Sequence, residues 1–162
     1  MDIGKVGELQ VLGELLKRGI VPYEPLVDRM GVDAIVPQED GSYIAVQIKT
    51  CTSAVSSRWF AIDRLEPRPN LYIVCVAMKS QPIETWIIPS EVFVANATRS
   101  KSGHLDLDLN IKPRGQRLTR AEKLKEFLEA WHLLTGDDFG RIAESSFAED
   151  WLSKEDQVYD GA

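Results

Sequence analysis

Three polar side chains lie at the ends of two neighbouring predicted strands in residues 31–50, GVDAIVPQEDGSYIAVQIKT. Asp33 stands at the start of the first strand, and Gln47 and Lys49 stand near the end of the second. A charge that faces a sheet interior loses its hydration unless it is paired or bound to a metal. The pattern therefore leaves two interpretations open, a structural ion pair between Asp33 and Lys49 or a metal site.

The elements around these residues are predicted from the hydrophobic pattern. Residues 32–36 and 43–49 read as strands joined by the turn residues 38–42, which predicts a hairpin. The two-residue period of a strand puts Gln47 and Lys49 on the same face. Both faces of the second strand are otherwise largely apolar, so we expect the strand to be covered on both sides.

A helix is predicted over residues 2–18, with Gly19 as its carboxy-terminal cap. Its apolar face follows a helical spacing and consists of Glu8, Val11, Leu12 and Leu15. An acid on such a face is a misfit, the partner of a buried base, or a functional carboxylate. If this helix packs across the hairpin, Glu8 meets Asp33, Gln47 and Lys49 in one place.

Such a cluster offers hard oxygen ligands and one amine. Mg²⁺ or Mn²⁺ prefers oxygen ligands and is commonly held by one or two carboxylates together with a substrate phosphate. The amine of Lys49 would stabilise the negative charge that builds up at a phosphorus centre. Gln47 adds an oxygen without a charge, which reduces repulsion between the ligands and weakens metal affinity.

The 162-residue chain, 44% hydrophobic and 27% charged, suits one domain. It has no apolar run long enough to span a membrane, and its amino terminus lacks the layout of a secretion signal, so we expect a soluble, cytoplasmic protein. Cys51 and Cys75 lack neighbours of metal-ligand type, and a buried free thiol is expected for Cys75. His104 and His132 stand alone, which argues against a histidine-based site.

The net charge of −6 hides an uneven distribution. Residues 137–162 hold eight acids and two bases, and removing them from the 25 acids and 19 bases of the whole chain leaves 17 of each. We therefore predict a neutral domain over residues 1–136, able to carry a basic face, and an acidic tail that is partly disordered with one short helix at most.

Further strands are predicted at 59–63, 71–78, 85–88 and 104–110, with a helical turn at 90–95. Thr119 and Glu122 have the spacing of a capping box, which predicts a helix from Thr119 to Thr135. Its apolar side is either core or a dimer contact. The basic side chains near it are either a solvated face or phosphate contacts, and with one loop arginine the candidates for DNA binding are Arg58, Lys112, Arg114, Arg117, Arg120 and Lys123.

The order of a helix-borne Glu8, then GVDAIV with Asp33, then AVQIKT with Gln47 and Lys49 resembles the PD-(D/E)xK nuclease superfamily in its Q-x-K variant. It is similar to Mrr-type restriction endonucleases, to archaeal Holliday junction resolvases, and more closely to small bacterial PD-(D/E)xK endonuclease-like proteins with G-x-x-G-E, Gly-x-Asp and Q-x-K-T motifs. The resemblance covers about residues 4–90.

The resemblance implies a single-domain α/β, restriction-endonuclease-like core with a mixed central sheet flanked by helices. It also implies metal-dependent hydrolysis of phosphodiester bonds in DNA with Mg²⁺ or Mn²⁺. Asp33, Gln47 and the Ile48 carbonyl would hold the metal, Lys49 would be the catalytic lysine, and Glu8 would orient water or contact the metal.

The departure from the usual acid at Gln47 leaves an alternative. In that alternative the protein has a nuclease fold but only binds DNA or a protein partner. A homodimer through the Thr119 to Thr135 helix is the expected assembly, because enzymes that cut both strands often use two sites.

Overall fold

A computed structural model describes residues 2–26, 31–53 and 56–136. The elements of this part of the chain are, in order, α1 (Ile3–Lys17), β1 (Ala34–Pro37), β2 (Tyr43–Cys51), β3 (Trp59–Ile62), β4 (Leu71–Ala77), β5 (Glu84–Pro89), α2 (Ser90–Asn96), β6 (Thr98–Arg99), β7 (Leu105–Asp108), α3 (Arg120–Lys123), a 3-10 turn (Lys125–Phe127) and α4 (His132–Thr135). The acidic tail predicted for residues 137–162 lies outside the described residues.

The central sheet has four strands in the order β1, β2, β4, β5. β1 and β2 form the predicted antiparallel hairpin, with Ala34 opposite Val46 and Pro37 opposite Tyr43. β2 runs parallel to β4, and β4 runs antiparallel to β5. The sheet is therefore mixed, which confirms the predicted fold class.

The two faces of β2 belong to different halves of the core. Val46 and Ile48 face α1 and pack with its buried Val11 and Leu15. The alternate residue Ala45 faces the opposite way, toward a second sheet of order β3, β7, β6. The prediction that β2 is covered on both sides, with α1 on one of them, is confirmed.

Helix α1 begins and ends as the sequence indicates. The carboxylate of Asp2 accepts a hydrogen bond from Gly4 N at 3.0 Å and so caps the amino terminus. Gly19 follows the helix with a φ of +76°, the left-handed conformation that suits glycine after a helix end.

No helix in the described residues is long and apolar enough to cross a membrane. Cys51 and Cys75 are buried free thiols.

The single helix predicted from Thr119 to Thr135 is wrong beyond its first turn. The capping box of Thr119 and Glu122 is present, but α3 ends at Lys123. The chain then extends, because Glu129 exchanges backbone and side-chain hydrogen bonds with Thr85 at the edge of β5. Glu129 has a φ of 52°, and no continuous helix can pass through it.

The apolar side chains of this segment belong to the core. Leu124 packs under the second sheet, and Trp131 and Leu134 pack on the α1 side. All three are buried within the one chain. The core alternative is therefore the correct one, and the helix expected to form a homodimer contact does not exist as predicted.

Candidate functional site

Asp33 lies immediately before β1 and is fixed against the backbone of β2. Its N–H donates to the Val46 carbonyl at 2.8 Å, and its carboxylate Oδ2 accepts from Ile48 N at 2.6 Å. A hydrogen bond to a carboxylate from a backbone amide is charge-assisted and directional. The hairpin register therefore holds the carboxylate beside the peptide that joins Gln47 to Ile48.

Gln47 is a buried polar residue in the middle of β2, with 5% of its surface exposed. Its Oε1 has no hydrogen-bond partner among the described residues. Most buried side-chain oxygens in proteins are paired, so an orphaned one requires an explanation, and a bound ion is among the usual ones. The amide is held closely by Gly31, where a Cβ would lie 2.4 Å from Gln47 Nε2. Gly31 also has a φ of +66°.

Lys49 and Gln47 lie on the same wall of an open cleft of about 700 Å³ between the central sheet and the second sheet. Gly31 is part of this wall, and the opposite side is formed by residues 62–66 and by the β6–β7 hairpin. Lys49 is half-buried and lies opposite Cys75 of β4, whose thiol pKa is raised by burial. The predicted pair of Gln47 and Lys49 is thus brought together in one cavity.

Glu8 lies on α1, on the other side of β2 from that wall. Its carboxylate accepts a hydrogen bond from Lys5 Nζ at 2.8 Å, and about 30% of its side chain is exposed. Among the described residues Lys5 is the only hydrogen-bond and ion-pair partner of this carboxylate. Glu8 does not line the cleft that Gln47 and Lys49 share.

Lys5 connects Glu8 with the Asp33 end of the hairpin. The hydrogen bond and charge of Glu8 raise the pKa of the Lys5 ammonium, and the charges of Glu24 and Asp33 add to the effect. Lys5 was not among the predicted site residues, although it lies three residues before Glu8 on a helix, which is the spacing of an ion pair. Its ammonium is paired with Glu8 and is also influenced by the charge of Asp33.

The packing of α1 on β2 is unusually close at Gly7. A Cβ at Gly7 would lie 2.0 Å from Thr50 Oγ1, and that hydroxyl is 3.5 Å from the Gly4 carbonyl. The glycines therefore let the helix backbone approach the strand that carries the site residues. This contact sets the distance between Glu8 and the hairpin.

The donor types near Asp33 suit a hard divalent cation. Asp33, just before β1, offers a carboxylate, and the middle of β2 offers the Gln47 amide oxygen, unpaired among the described residues, and the Ile48 carbonyl. Oxygen ligands of this kind are those of Mg²⁺ and Mn²⁺. The described residues contain no group of three or more histidine, cysteine or acidic side chains arranged for a metal, so any such site depends on the Gln47 oxygen.

The predicted DNA-binding bases fall into two groups. Arg58 forms a bidentate ion pair with Glu84, and Arg120 donates to Thr98 Oγ1 and the Asp108 carbonyl. The remaining four are exposed on the segment around α3, and they are Lys112, Arg114, Arg117 and Lys123. None of the six lines the cleft.

The cleft contains two arginines that were not predicted as DNA-binding residues, Arg64 and Arg99.

Comparison with solved structures identifies the fold. The chain is similar to the bacterial homing endonuclease I-Ssp6803I, with a TM-score of 0.53 and 21% identity over 92% of this chain and 96% of that one. It is also similar to the Holliday junction resolvase Hjc of the archaeal hyperthermophile Archaeoglobus fulgidus, with a TM-score of 0.45 and 15% identity over 76% of this chain and 97% of that one. No protein-family model and no curated protein matches the sequence. The chain therefore shares its fold with the homing endonuclease.

Proposed function

We propose that the protein is a metal-dependent DNA nuclease that hydrolyses phosphodiester bonds. The observation that carries the proposal is the unpaired, buried Oε1 of Gln47, which lies in one cleft with Lys49 and next to the peptide bound by Asp33. A structural ion pair between Asp33 and Lys49 would not account for this oxygen. The nuclease fold supports the same conclusion.

The proposed ligands of Mg²⁺ or Mn²⁺ are Asp33, Gln47 and the Ile48 carbonyl, with Glu8 acting on water or on the metal. When bound, the ion supplies positive charge that stabilises negative charge developing on a phosphate. Asp33 keeps the end of the hairpin in register through Ile48 N. The Lys5 ammonium holds the Glu8 carboxylate in place.

Lys49 is the proposed catalytic lysine. Its half-buried ammonium in the cleft stabilises the phosphate oxygens as water forms a bond to phosphorus and the bond to the leaving ester oxygen breaks. In the net reaction one proton of the water passes to the leaving oxygen.

The exposed side chains around α3 are proposed as additional phosphate contacts outside the cleft. They are Lys112, Arg114, Arg117 and Lys123. Arg58 and Arg120 were expected to contribute as well, but they are held by Glu84 and by Thr98 and Asp108. Contact with DNA through these two requires that their present hydrogen bonds be exchanged.

The experiment is a cleavage assay on single-stranded, double-stranded and branched DNA with Mg²⁺, Mn²⁺ or EDTA. We expect cleavage with either ion and none with EDTA, and we expect Asp33→Asn and Lys49→Met to abolish it. Asp40→Asn is the matched control, because Asp40 is an exposed acid in the turn of the same hairpin. Cleavage that persists in both site variants would refute the proposed site.

A second candidate function is DNA binding without cleavage on the same fold. It is favoured by the neutral Gln47 and by the absence, in the described residues, of a three-ligand cluster of histidine, cysteine or acidic side chains. The two functions differ in their response to metal. A protein that only binds would retain salt-sensitive DNA binding, show no thermal shift with Mg²⁺ or Mn²⁺, and leave every substrate intact.

A further inference from the structure

The cleft has a second wall that none of the proposed catalytic residues occupies. Arg64 follows β3, and Arg99 ends β6, so the two guanidinium groups come from separate segments of the second sheet. Both side chains are exposed and both line the cleft that contains Lys49. Three positive charges therefore face one cavity from two sides.

Neither arginine has an acidic partner within the part of the chain that the structure describes. There no carboxylate lies within ion-pair distance of Arg64 or Arg99, and Arg99 donates a 3.4 Å hydrogen bond to the Gly103 carbonyl. Arg58, by contrast, donates from Nε and Nη2 to the two carboxylate oxygens of Glu84. Arginine in a structural role is normally paired in this way.

The acids of the cleft offset only part of this charge. Asp63 and Glu66 also line the cavity, but the Asp63 carboxylate is engaged by His104 Nδ1 at 2.8 Å. Asp63 and Glu66 are both exposed and therefore hydrated. The lining therefore holds three cations and two acids, a net charge of +1. The planar guanidinium fork of an arginine matches a phosphate through two hydrogen bonds.

We propose that Arg64 and Arg99 bind the DNA phosphates that flank the one placed at Lys49. This inference rests on the proposed function, since it takes the phosphate at Lys49 as the one that is cut. It assigns the principal contacts with the DNA phosphates to the cleft. The basic side chains around α3 then make peripheral contacts. The DNA strand then runs between the central sheet and the β6–β7 hairpin.

The test measures DNA binding of the full chain in EDTA, so that cleavage does not interfere. The probe is a fluorescently labelled duplex, and the anisotropy titration is repeated between about 50 and 200 mM salt. We expect Arg64→Ala with Arg99→Ala to weaken binding by about tenfold or more and to lower the salt slope by about two. Arg64→Lys with Arg99→Lys should recover most of the slope, because both charges are kept.

The control pair is Lys17→Ala with Lys79→Ala, which removes two exposed charges outside the cleft. It should change the affinity by less than about twofold. Circular dichroism melts of each variant check the fold, and the single Arg64→Ala and Arg99→Ala variants replace the double variant if the latter unfolds.

The outcomes separate this inference from the proposed function. If the double alanine variant binds like wild type while the wild type binds and cleaves DNA, the arginine assignment is wrong and the nuclease proposal survives. If the wild type neither binds nor cleaves any DNA substrate, both proposals are wrong.

Discussion

The carboxylate of Asp33 accepts a 2.6 Å hydrogen bond from the backbone N–H of Ile48, fifteen residues further along the chain. The bond crosses the open end of the β1–β2 hairpin and adjoins the peptide after Gln47. Asp33 thus combines two roles, that of an acceptor for a buried-strand amide and that of the proposed metal ligand. Substitutions that keep one role and remove the other distinguish them.

Asp33→Asn and Asp33→Ala are expected to differ in stability but not in activity. Asparagine keeps an oxygen that can accept from Ile48 N, whereas alanine leaves that amide unpaired at a cost of about 1–3 kcal/mol. Both substitutions remove the negative charge, so both should abolish metal-dependent cleavage. Urea denaturation together with the cleavage assay measures the two effects. Equal stability of the two variants would mean that the hydrogen bond contributes nothing.

Gly31→Ala should disturb the Gln47 amide. The new Cβ would lie 2.4 Å from Gln47 Nε2, and the backbone at φ +66° disfavours any side chain. We expect the free energy of unfolding to fall by about 2–4 kcal/mol, the sum of a backbone cost and an overpacking cost. We also expect cleavage to be reduced.

Gly41→Ala is the matched control for that prediction. Gly41 has a φ of +82° in the same hairpin, and a Cβ there meets nothing within 4 Å. It should therefore show only the backbone cost of about 1–2 kcal/mol and retain cleavage. Similar losses of stability and activity in Gly31→Ala and Gly41→Ala would remove the argument that Gly31 positions Gln47.

The hydrogen bonds that Thr119 makes to Glu122 predict a pH-dependent stability. The backbone N–H of Thr119 and then its hydroxyl lower the pKa of the Glu122 carboxyl below its ordinary value. A lowered pKa in the folded state stabilises the protein above the unfolded pKa, and the contribution is lost as pH falls through the folded pKa. The melting temperature of wild type should therefore exceed that of Glu122→Gln by more at neutral pH than below about pH 4.

Glu126→Gln provides the comparison for that experiment, because Glu126 is an exposed acid in the next turn. Its melting temperature relative to wild type should depend less on pH. If the two variants show the same pH dependence, the capping box does not stabilise the carboxylate as the geometry indicates.

Local patterns predicted much of this fold. The extent of α1, the β1–β2 hairpin and the capping box of Thr119 all depend on residues within a few positions of each other. The grouping of Gln47 and Lys49 on one wall followed from the two-residue strand period. Such features are specified by neighbouring residues and do not require knowledge of the tertiary contacts.

The errors arose from contacts between distant segments. The helix expected through Glu129 gives way to pairing with Thr85, which lies 44 residues earlier and offers backbone partners at a sheet edge. Arg64 and Arg99 reach the cleft because β3 and β6 both pair with β7, an order that no local pattern contains. The placement of Glu8 also depends on such a contact, because α1 packs on the face of β2 opposite to Lys49 and Glu8 does not line the cleft.

Two glycines of α1 should respond in opposite directions to alanine. Gly7→Ala places a Cβ 2.0 Å from Thr50 Oγ1, and the overpacking cost of about 1–3 kcal/mol exceeds the gain of about 0.5–1 kcal/mol from replacing a helical glycine. Gly13→Ala meets nothing within 4 Å and keeps that gain in full. We therefore expect Gly7→Ala to destabilise the protein and Gly13→Ala to stabilise it in urea denaturation.

The same pair tests the link between helix packing and the site. A helix pushed away from Thr50 carries Glu8 with it, so Gly7→Ala should reduce cleavage while Gly13→Ala leaves it unchanged. Adding Thr50→Ala to Gly7→Ala removes the obstructing hydroxyl and methyl groups and should restore part of the stability. A stabilising effect of Gly7→Ala alone would show that α1 does not depend on close contact with β2, and a destabilised variant with full cleavage would show that the position of Glu8 does not matter to the reaction.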